Sequence, residues 1–305
     1  MSTNAVSATL IPASDRQRWK DSAVDSRQSF PATGNFDLID NSWGLLMIHN
    51  DDIVSPGEGF DMHQHDNTEI VTWVLDGALR HRDSGGKDII LHSGHAQAIS
   101  AGRGFSHSEV NAAGYTSLSR LHVIQMWLPP DEENTDPRHG EADFSASIEH
   151  SKATGEFFNV AAGSEHDEAS APLHIGSAGA RLDISYLSTQ ATSQLNLSRY
   201  SHIFLASGSV TATISNSGDG DRSSDSGNSG DRDGGGNSNG DSNENSEVNS
   251  VETSDDRTWE LHEGDVLRAE VLGSDQSTVT FTSTEDAVIM VWRMNYSAKE
   301  RRTQR

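Results

Sequence analysis

Cysteine is absent from this chain of 305 residues. Its absence excludes disulfide bonds, thiolate metal ligands and cysteine nucleophiles. Long apolar runs are also missing, so we expect no membrane-spanning helix and no membrane partner. The first 20 residues lack the basic start and apolar core of a secretory signal peptide. We therefore expect a cytoplasmic protein.

Basic residues are scarce as well. The chain has 22 Lys and Arg residues against 46 Asp and Glu residues, which gives a formal net charge of −24. Such an excess of negative charge repels the phosphate backbone of DNA and RNA. We therefore expect no direct binding to nucleic acid. The length is sufficient for two domains of ordinary size.

Apolar side chains are nearly absent from one internal segment, at about residues 216–257. It consists largely of Ser, Gly, Asn and Asp, a composition that is typical of disordered segments. β-type runs lie on both sides of it, at residues 201–214, 258–267, 278–282 and 287–292. We therefore interpret this acidic insertion as a disordered, enlarged hairpin loop inside a β domain.

The pattern of the remaining sequence predicts an all-β protein. In the first half, short apolar or alternating runs occur at residues 44–49, 69–75, 88–91, 96–100 and 121–128, with glycines between them. Many short strands that are separated by glycine-rich turns are typical of a β-sandwich or a closed barrel. Two such units in tandem fit the length of the chain.

Two pairs of polar residues are the candidate metal ligands. His63 and His65 form one pair, and His107 and Glu109 form the other. Because alternate side chains of a strand share a face, the two members of each pair lie on the same face of their strand. If the two strands are neighbours in a barrel, the four side chains meet in its interior. Imidazole nitrogens with one carboxylate oxygen suit iron, copper, nickel, zinc or manganese. The alternative is a set of buried histidines that form hydrogen bonds with backbone carbonyls. That arrangement would bury four polar side chains in a barrel without a cation, which has a high free-energy cost.

The spacing of these residues resembles the two motifs of the cupin superfamily. The first motif corresponds to Gly57-x5-His63-x-His65-x3-Glu69 followed by Gly77, and the second to Gly94, Gly102, His107 and Asn111. The exact residues of these segments resemble the pirin family more closely than other cupins. They are HxHxxxEIVTxVLxG from residue 63, HRDS at 81–84 and SAGxGxxHSE at 100–109. This resemblance covers about residues 16–145.

The resemblance implies an all-β bicupin, with two tandem jelly-roll barrels. Residues 1–145 would form a metal-binding cupin, and residues 146–305 a degenerate cupin without metal, because its His202 and His262 are isolated. The family holds one divalent metal, commonly iron, through three histidines and one glutamate. Those ligands would be the four paired residues, His63, His65, His107 and Glu109. The first motif's Glu69 is then expected beside the metal as a hydrogen-bond partner of the site.

The resemblance also implies a function. Some bacterial pirin-like proteins open the flavonol quercetin with dioxygen, so we expect a dioxygenase for a small aromatic substrate, with Glu109 as catalytic base. A second interpretation is a non-enzymatic, metal- or redox-responsive regulatory protein that binds a protein partner, as animal pirin does. A sugar or small-acid isomerase is a third. We expect a monomer in each case.

Several other side chains have two interpretations. A pocket for a flat substrate could be lined by Phe60, Met62, Trp73 and Trp127, although such residues are more often core. The sequence favours surface or core positions, without metal, for His81, His92, His95 and His122. Asp51 and Asp52 are predicted to shape a turn.

Overall fold

The computed structural model describes residues 6–31, 37–164, 171–216, 256–273 and 276–304. These residues form twenty-two strands, one short 3-10 helix at Ala13–Asp15 and two α-helices, α1 (Ser145–Thr154) and α2 (Ala298–Gln304). The first twelve strands are β1 (Val6–Ile11), β2 (Gln17–Lys20), β3 (Val24–Gln28), β4 (Ile48–Val54), β5 (Gly59–His65), β6 (Glu69–Asp76), β7 (Ala78–Asp83), β8 (Asp88–His92), β9 (His95–Ser100), β10 (Phe105–Asn111), β11 (Leu121–Leu128) and β12 (Arg138–Asp143). The remaining ten are β13 (Phe158–Ala162), β14 (Leu173–His174), β15 (Ala180–Leu187), β16 (Thr192–Asn196), β17 (Tyr200–Ser207), β18 (Ser209–Asn216), β19 (Arg257–His262), β20 (Val266–Val271), β21 (Ser277–Ser283) and β22 (Ala287–Met294).

The first half of the chain forms two sheets that face each other. One has seven strands in the order β12-β9-β6-β11-β4-β3-β2, and the other has four in the order β5-β10-β7-β8. Val54 and Val74 of the larger sheet pack with Leu79 and Leu91 of the smaller one. Antiparallel sheets that enclose apolar side chains in this way form the barrel that the sequence predicts.

The second half repeats this arrangement. Its seven-stranded sheet has the order β1-β20-β17-β22-β15-β13-β14, and its four-stranded sheet has the order β16-β21-β18-β19. Ile203 and Ile289 of the larger sheet pack with Leu261 and Phe281 of the smaller one. The all-β bicupin architecture is thereby confirmed. Strand β1 comes from the start of the chain but pairs with β20 of the second half, while the boundary between residues 145 and 146 stays a prediction.

The two halves share a core that lies between their seven-stranded sheets. Trp73 and Met126 of the first half and Met290 and Trp292 of the second belong to this core. The indole nitrogen of Trp292 donates a hydrogen bond to the Met126 sulfur at 3.0 Å. Trp73 is therefore a core residue between the halves and does not line a substrate pocket.

One apolar run is not the strand that the sequence predicts. Residues 43–46 form a turn that is closed by a bridge between Trp43 and Leu46, and β4 begins only at Ile48. The run is apolar because Leu45 and Leu46 are fully buried in the shared core. Burial of a loop and burial of a strand leave the same hydrophobic signal in a short run of sequence.

Strands β18 and β19 lie on either side of the acidic insertion. They pair antiparallel from Ser209 with His262 to Ile214 with Arg257, as the strands of a hairpin do. The predicted disorder at about residues 216–257 concerns residues 217–255, which lie outside the described ranges. Of the helices in the described ranges, neither is long and apolar enough to cross a membrane.

Candidate metal centre

Three imidazole rings converge on neighbouring strands of the first barrel. His63 and His65 lie on β5 and His107 lies on β10, and the two strands pair antiparallel with His63 opposite His107. The ring centroids are 4.5 Å apart for His63 and His107, 4.7 Å for His63 and His65, and 5.1 Å for His65 and His107. One ring nitrogen of each residue lies within 4.8 Å of the other two. The spacing of two residues along β5 thus places both of its histidines beside the one on β10.

The Glu109 carboxylate lies behind this trio, deeper in the barrel. Its Oε2 atom is 3.9 Å from the Nδ1 atom of His107. In the described part of the chain, Glu109 forms a group of mutually close ligand atoms with His107 and His81, whereas His63 and His65 group with His107 alone. The β5–β10 register shifts between His107 and Glu109, so the pairing that aligns His63 with His107 does not continue to Glu109.

Three side chains hold this carboxylate in place. Gln97 donates to its Oε1 atom at 2.7 Å, Gln125 donates to its Oε2 atom at 2.6 Å, and the Thr72 hydroxyl lies 3.3 Å from Oε1. The sequence analysis missed Gln97 and Gln125. A signal was present, since each is a polar residue inside a run of buried apolar residues on a central strand. Such a residue needs a buried partner.

The donor set fits a metal ion. His107 is fully buried, and neither of its ring nitrogens has a hydrogen-bond partner among the described residues. Leaving a buried polar atom unpaired costs about 1–3 kcal/mol. The His63 Nδ1 atom lies 2.7 Å from the carbonyl oxygen of Asp61. Because a carbonyl only accepts, Nδ1 carries the proton, and the Nε2 lone pair of His63 is free to bind a metal.

The electrostatic environment keeps the imidazoles of His65 and His107 neutral. Burial lowers the pKa of His107 to about 2 and that of His65 to about 4, and the neighbouring imidazoles add to both shifts. A metal binds the neutral form of histidine, so protons compete weakly for these ligands at neutral pH. Burial raises the pKa of Glu109 to about 7.

Glu69 is not beside the three histidines, contrary to the expectation from the first motif. Its carboxylate accepts hydrogen bonds from the Ser100 hydroxyl at 2.7 Å and from the Gly176 backbone N–H at 2.8 Å. Gly176 belongs to the second half of the chain. Glu69 shares its face of β6 with Val71 and Trp73, which lie in the core between the halves. The first motif did not reveal this because β5 and β6 lie in different sheets, and the face of Glu69 is set by the pairing of β6 with its own neighbours.

The other residues with two interpretations are now placed. Trp127 contacts the site, since its ring lies 4.8 Å from that of His65. Phe60 packs against the barrel core and Met62 is exposed. Asp51 and Asp52 lie within β4 rather than in a turn. Asp51 accepts from Arg16 at 3.3 Å and lies 2.6 Å from the Nε2 atom of His122.

Comparison with known proteins identifies a family and several relatives of this chain. The pirin family model matches residues 14–128. The Mycobacterium tuberculosis protein named "Putative quercetin 2,3-dioxygenase Rv0181c" is 35% identical over 199 residues, which are 65% of this chain and 78% of that protein. The quercetin 2,3-dioxygenase of Escherichia coli K12 is 35% identical over 137 residues, which are 45% of this chain and 58% of that protein.

Solved structures show the same architecture. The bacterial pirin YhhW from Escherichia coli in complex with nickel(II) superposes with a TM-score of 0.67 at 22% identity, over 94% of this chain and 99% of that chain. GK1651 from Geobacillus kaustophilus superposes with a TM-score of 0.63 at 18% identity, over 94% of this chain and 95% of that chain. Fold and site together define an all-β bicupin with a histidine cluster in its first barrel. The chain belongs to the pirin family of the cupin superfamily.

Proposed function

We propose that this pirin-family protein is a metal-dependent dioxygenase that opens quercetin or a related flavonol or enol. The observation that carries the proposal is the convergence of three imidazoles in front of one buried carboxylate. The relatives named quercetin 2,3-dioxygenase support the substrate class. A small aromatic molecule would enter from the side of His63 and His65, which are partly exposed to solvent.

His63, His65 and His107 would hold one divalent transition metal, with Glu109 as the fourth ligand. Iron is the first candidate, and copper, nickel, manganese and zinc suit the same donors. When bound, the metal would supply a Lewis acid for the enol oxygen of the substrate and couple the substrate electronically to dioxygen. The nickel(II) complex of YhhW supports metal binding by this fold.

Glu109 would accept the proton of the substrate hydroxyl at its Oε2 atom. A general base works best when its pKa lies near the working pH. Burial raises the pKa of the Glu109 carboxylate to about 7 when no metal is bound to it, and a bound cation would favour its charged, proton-accepting form. Gln97 and Gln125 hold the carboxylate on both oxygens, so it would stay oriented when it accepts the proton. Both atoms of dioxygen would then enter the opened ring, and one carbon would leave as carbon monoxide.

Trp127 would serve as one wall of the substrate site. Its ring meets that of His65 at 78° between planes, and its indole N–H donates to the Gln125 side-chain oxygen at 3.2 Å. The same contact orients the Gln125 amide towards Glu109. A flat substrate against this indole would exclude water from the reacting carbon.

Oxygen uptake with quercetin tests the proposal. Anaerobically purified protein that is loaded with iron, copper, nickel or manganese is expected to consume oxygen and release carbon monoxide in proportion to its metal content. The double variant His63→Ala and His107→Ala is expected to lose this uptake. Metal-loaded protein that consumes no oxygen with quercetin or other flavonols would contradict the dioxygenase and favour a binding role.

A further inference from the structure

A second cluster of metal-binding side chains lies inside the same barrel. His81 and Asp83 lie on β7, and His139 lies on β12, the edge strand of the facing sheet. The exposed fractions of the three side chains are 0%, 2% and 3%. The motifs that point to the first site include neither His81 nor His139 as a ligand.

The three groups converge on one carboxylate oxygen. The Asp83 Oδ2 atom lies 3.2 Å from the His81 Nε2 atom and 3.4 Å from the His139 Nδ1 atom. The two imidazole rings are 4.4 Å apart, and the three ligand atoms all lie within 4.8 Å of one another. The other Asp83 oxygen accepts the Lys87 backbone N–H at 3.0 Å. The aspartate is therefore fixed with Oδ2 turned to the histidines.

The hydrogen bonds of Gln97 determine the tautomer of His139. The Gln97 amide nitrogen faces two acceptors, Glu109 at 2.7 Å and the Thr72 hydroxyl at 3.4 Å, so its oxygen faces His139. That oxygen lies 3.1 Å from the His139 Nε2 atom. Because an amide oxygen only accepts, Nε2 carries the proton of the neutral ring. The lone pair of the His139 Nδ1 atom then faces Asp83.

A lone pair that faces a carboxylate oxygen at 3.4 Å is unfavourable unless a cation lies between them. The geometry at His139 Nδ1 is not that of a hydrogen bond, and this atom and His81 Nδ1 have no partner among the residues that the structure describes. A buried proton would form a hydrogen bond at this position, whereas a metal ion would bind the lone pair directly. Two imidazoles and one carboxylate with open positions suit zinc and non-haem iron(II).

We propose that a second divalent transition-metal ion binds between His81, Asp83 and His139. This site is separate from the trio of His63, His65 and His107 but adjoins it, since the rings of His81 and His107 are 5.5 Å apart. Gln97 connects the two sites through its bonds to Glu109 and His139. Occupation of the second site fixes His139 and, through Gln97, the carboxylate of the first site.

Counting bound zinc tests the second site. Metal-free full-length protein is titrated with Zn²⁺, and the bound metal is counted by mass spectrometry after gel filtration. We expect two equivalents for the wild type, one for Asp83→Asn, one for His139→Gln and one for His65→Asn. The double variant His65→Asn and Asp83→Asn is expected to bind none. Removal of a direct ligand is expected to weaken binding of the second equivalent by about 100-fold or more.

The matched control is His150→Gln, because His150 is exposed on α1 and forms an ion pair with Glu156 outside the barrel. It is expected to keep two equivalents. One equivalent in the wild type that Asp83→Asn and His139→Gln both retain would overturn the second site. One equivalent that Asp83→Asn loses but His65→Asn retains would instead overturn the first site, so the two proposals fail separately.

Discussion

At the residue scale, the two buried glutamates of the first barrel have opposite surroundings. Glu109 faces the barrel interior and is bound by Gln97 and Gln125, whereas Glu69 faces the second half and is bound by Ser100 and Gly176. Both lie in motifs that the sequence resembles, yet only Glu109 adjoins the histidines. The paired spacing predicted that His63, His65 and His107 would meet, because alternation along one strand is local. Of these three, Glu109 adjoins only His107, because the β5–β10 register shifts between His107 and Glu109. The spacing could not predict the surroundings of Glu69, because these depend on the pairing of β6 with its own neighbours.

Glu109→Gln is expected to reduce quercetin turnover by about 100- to 10,000-fold, the usual contribution of a general base. Because Glu109 is also the proposed fourth ligand, its replacement is expected to weaken metal binding as well. The loss is therefore measured as turnover per bound metal ion, with the metal content counted in parallel. Glu69→Gln is the matched control, because it changes the other buried glutamate of the barrel in the same way. Turnover of Glu69→Gln near the wild-type value supports the assignment, and equal losses in both variants would contradict it.

His202 in the second half is fully buried, and among the described residues it belongs to no group of three metal-binding side chains. Its ring stacks on Phe30 and lies 4.8 Å from that of His49. Burial lowers the pKa of His202 well below its ordinary value of 6.5, and the positive charges of Arg16 and Arg268 add to this shift. Below pH 6.5 the unfolded chain therefore binds a proton that the folded chain does not, and the wild type loses stability as the pH falls.

His202→Phe removes this loss while leaving the charged neighbours in place. The stability of the variant relative to the wild type is expected to rise by about 1.4 kcal/mol for each pH unit below 6.5. Urea unfolding at pH 7, 6 and 5 measures it. His150→Phe is the control, and a much smaller dependence is expected there because its side chain stays in contact with solvent. A difference for His202→Phe that does not change with pH would contradict the prediction.

At the scale of elements, the close pairing of β5 with β10 brings the three histidines together. The histidine spacing predicted two strands, and the structure places them side by side. Helix α1 was not predicted. It buries only Ile148 and Ser151, so its sequence carries almost no amphipathic pattern. The His81–Asp83–His139 cluster was not predicted either. Its residues lie on β7 and β12, which belong to different sheets, so no spacing in the sequence relates His139 to the other two.

Gly59 permits the close approach of β5 to β10. Its φ angle is +149°, and a Cβ atom there would lie 2.3 Å from the Glu109 carbonyl oxygen and 2.7 Å from the Val110 Cα. Gly59→Ala is therefore expected to push the strands apart, lower the free energy of unfolding by roughly 1–3 kcal/mol and weaken metal binding. Thermal unfolding and a metal titration measure both effects.

Gly114→Ala is the control for this substitution, because a Cβ atom there meets nothing within 4 Å. It is expected to change neither stability nor metal affinity appreciably. Wild-type metal affinity in Gly59→Ala would show that the β5–β10 spacing does not position the histidines.

At the scale of the whole molecule, the two barrels depend on one core. The sequence predicted two tandem β units from strand-like runs and glycine turns. It did not predict that both seven-stranded sheets would turn an apolar face towards each other, or that β1 would pair with β20. Both features depend on contacts between distant parts of the chain. Trp73 illustrates the difficulty, since an aromatic side chain looks the same in sequence whether it lines a pocket or a core.

Trp292→Ala is expected to lower the free energy of unfolding by roughly 3–5 kcal/mol, because it leaves a large cavity in the shared core. Because both halves contribute to this core, they should unfold in one transition at a lower temperature, which calorimetry detects. Trp19→Ala is the control, since that side chain is 41% exposed, and a small effect is expected. Two separate transitions in the wild type would contradict a shared core.

The proposed metal of the first barrel is bound by His63, His65 and His107. Anomalous diffraction at the metal absorption edge, from crystals of protein loaded with iron or nickel, locates such a metal. We expect an anomalous peak at about 2.0–2.2 Å from one nitrogen of each of these histidines. The absence of any peak among the three rings at full metal loading would contradict it.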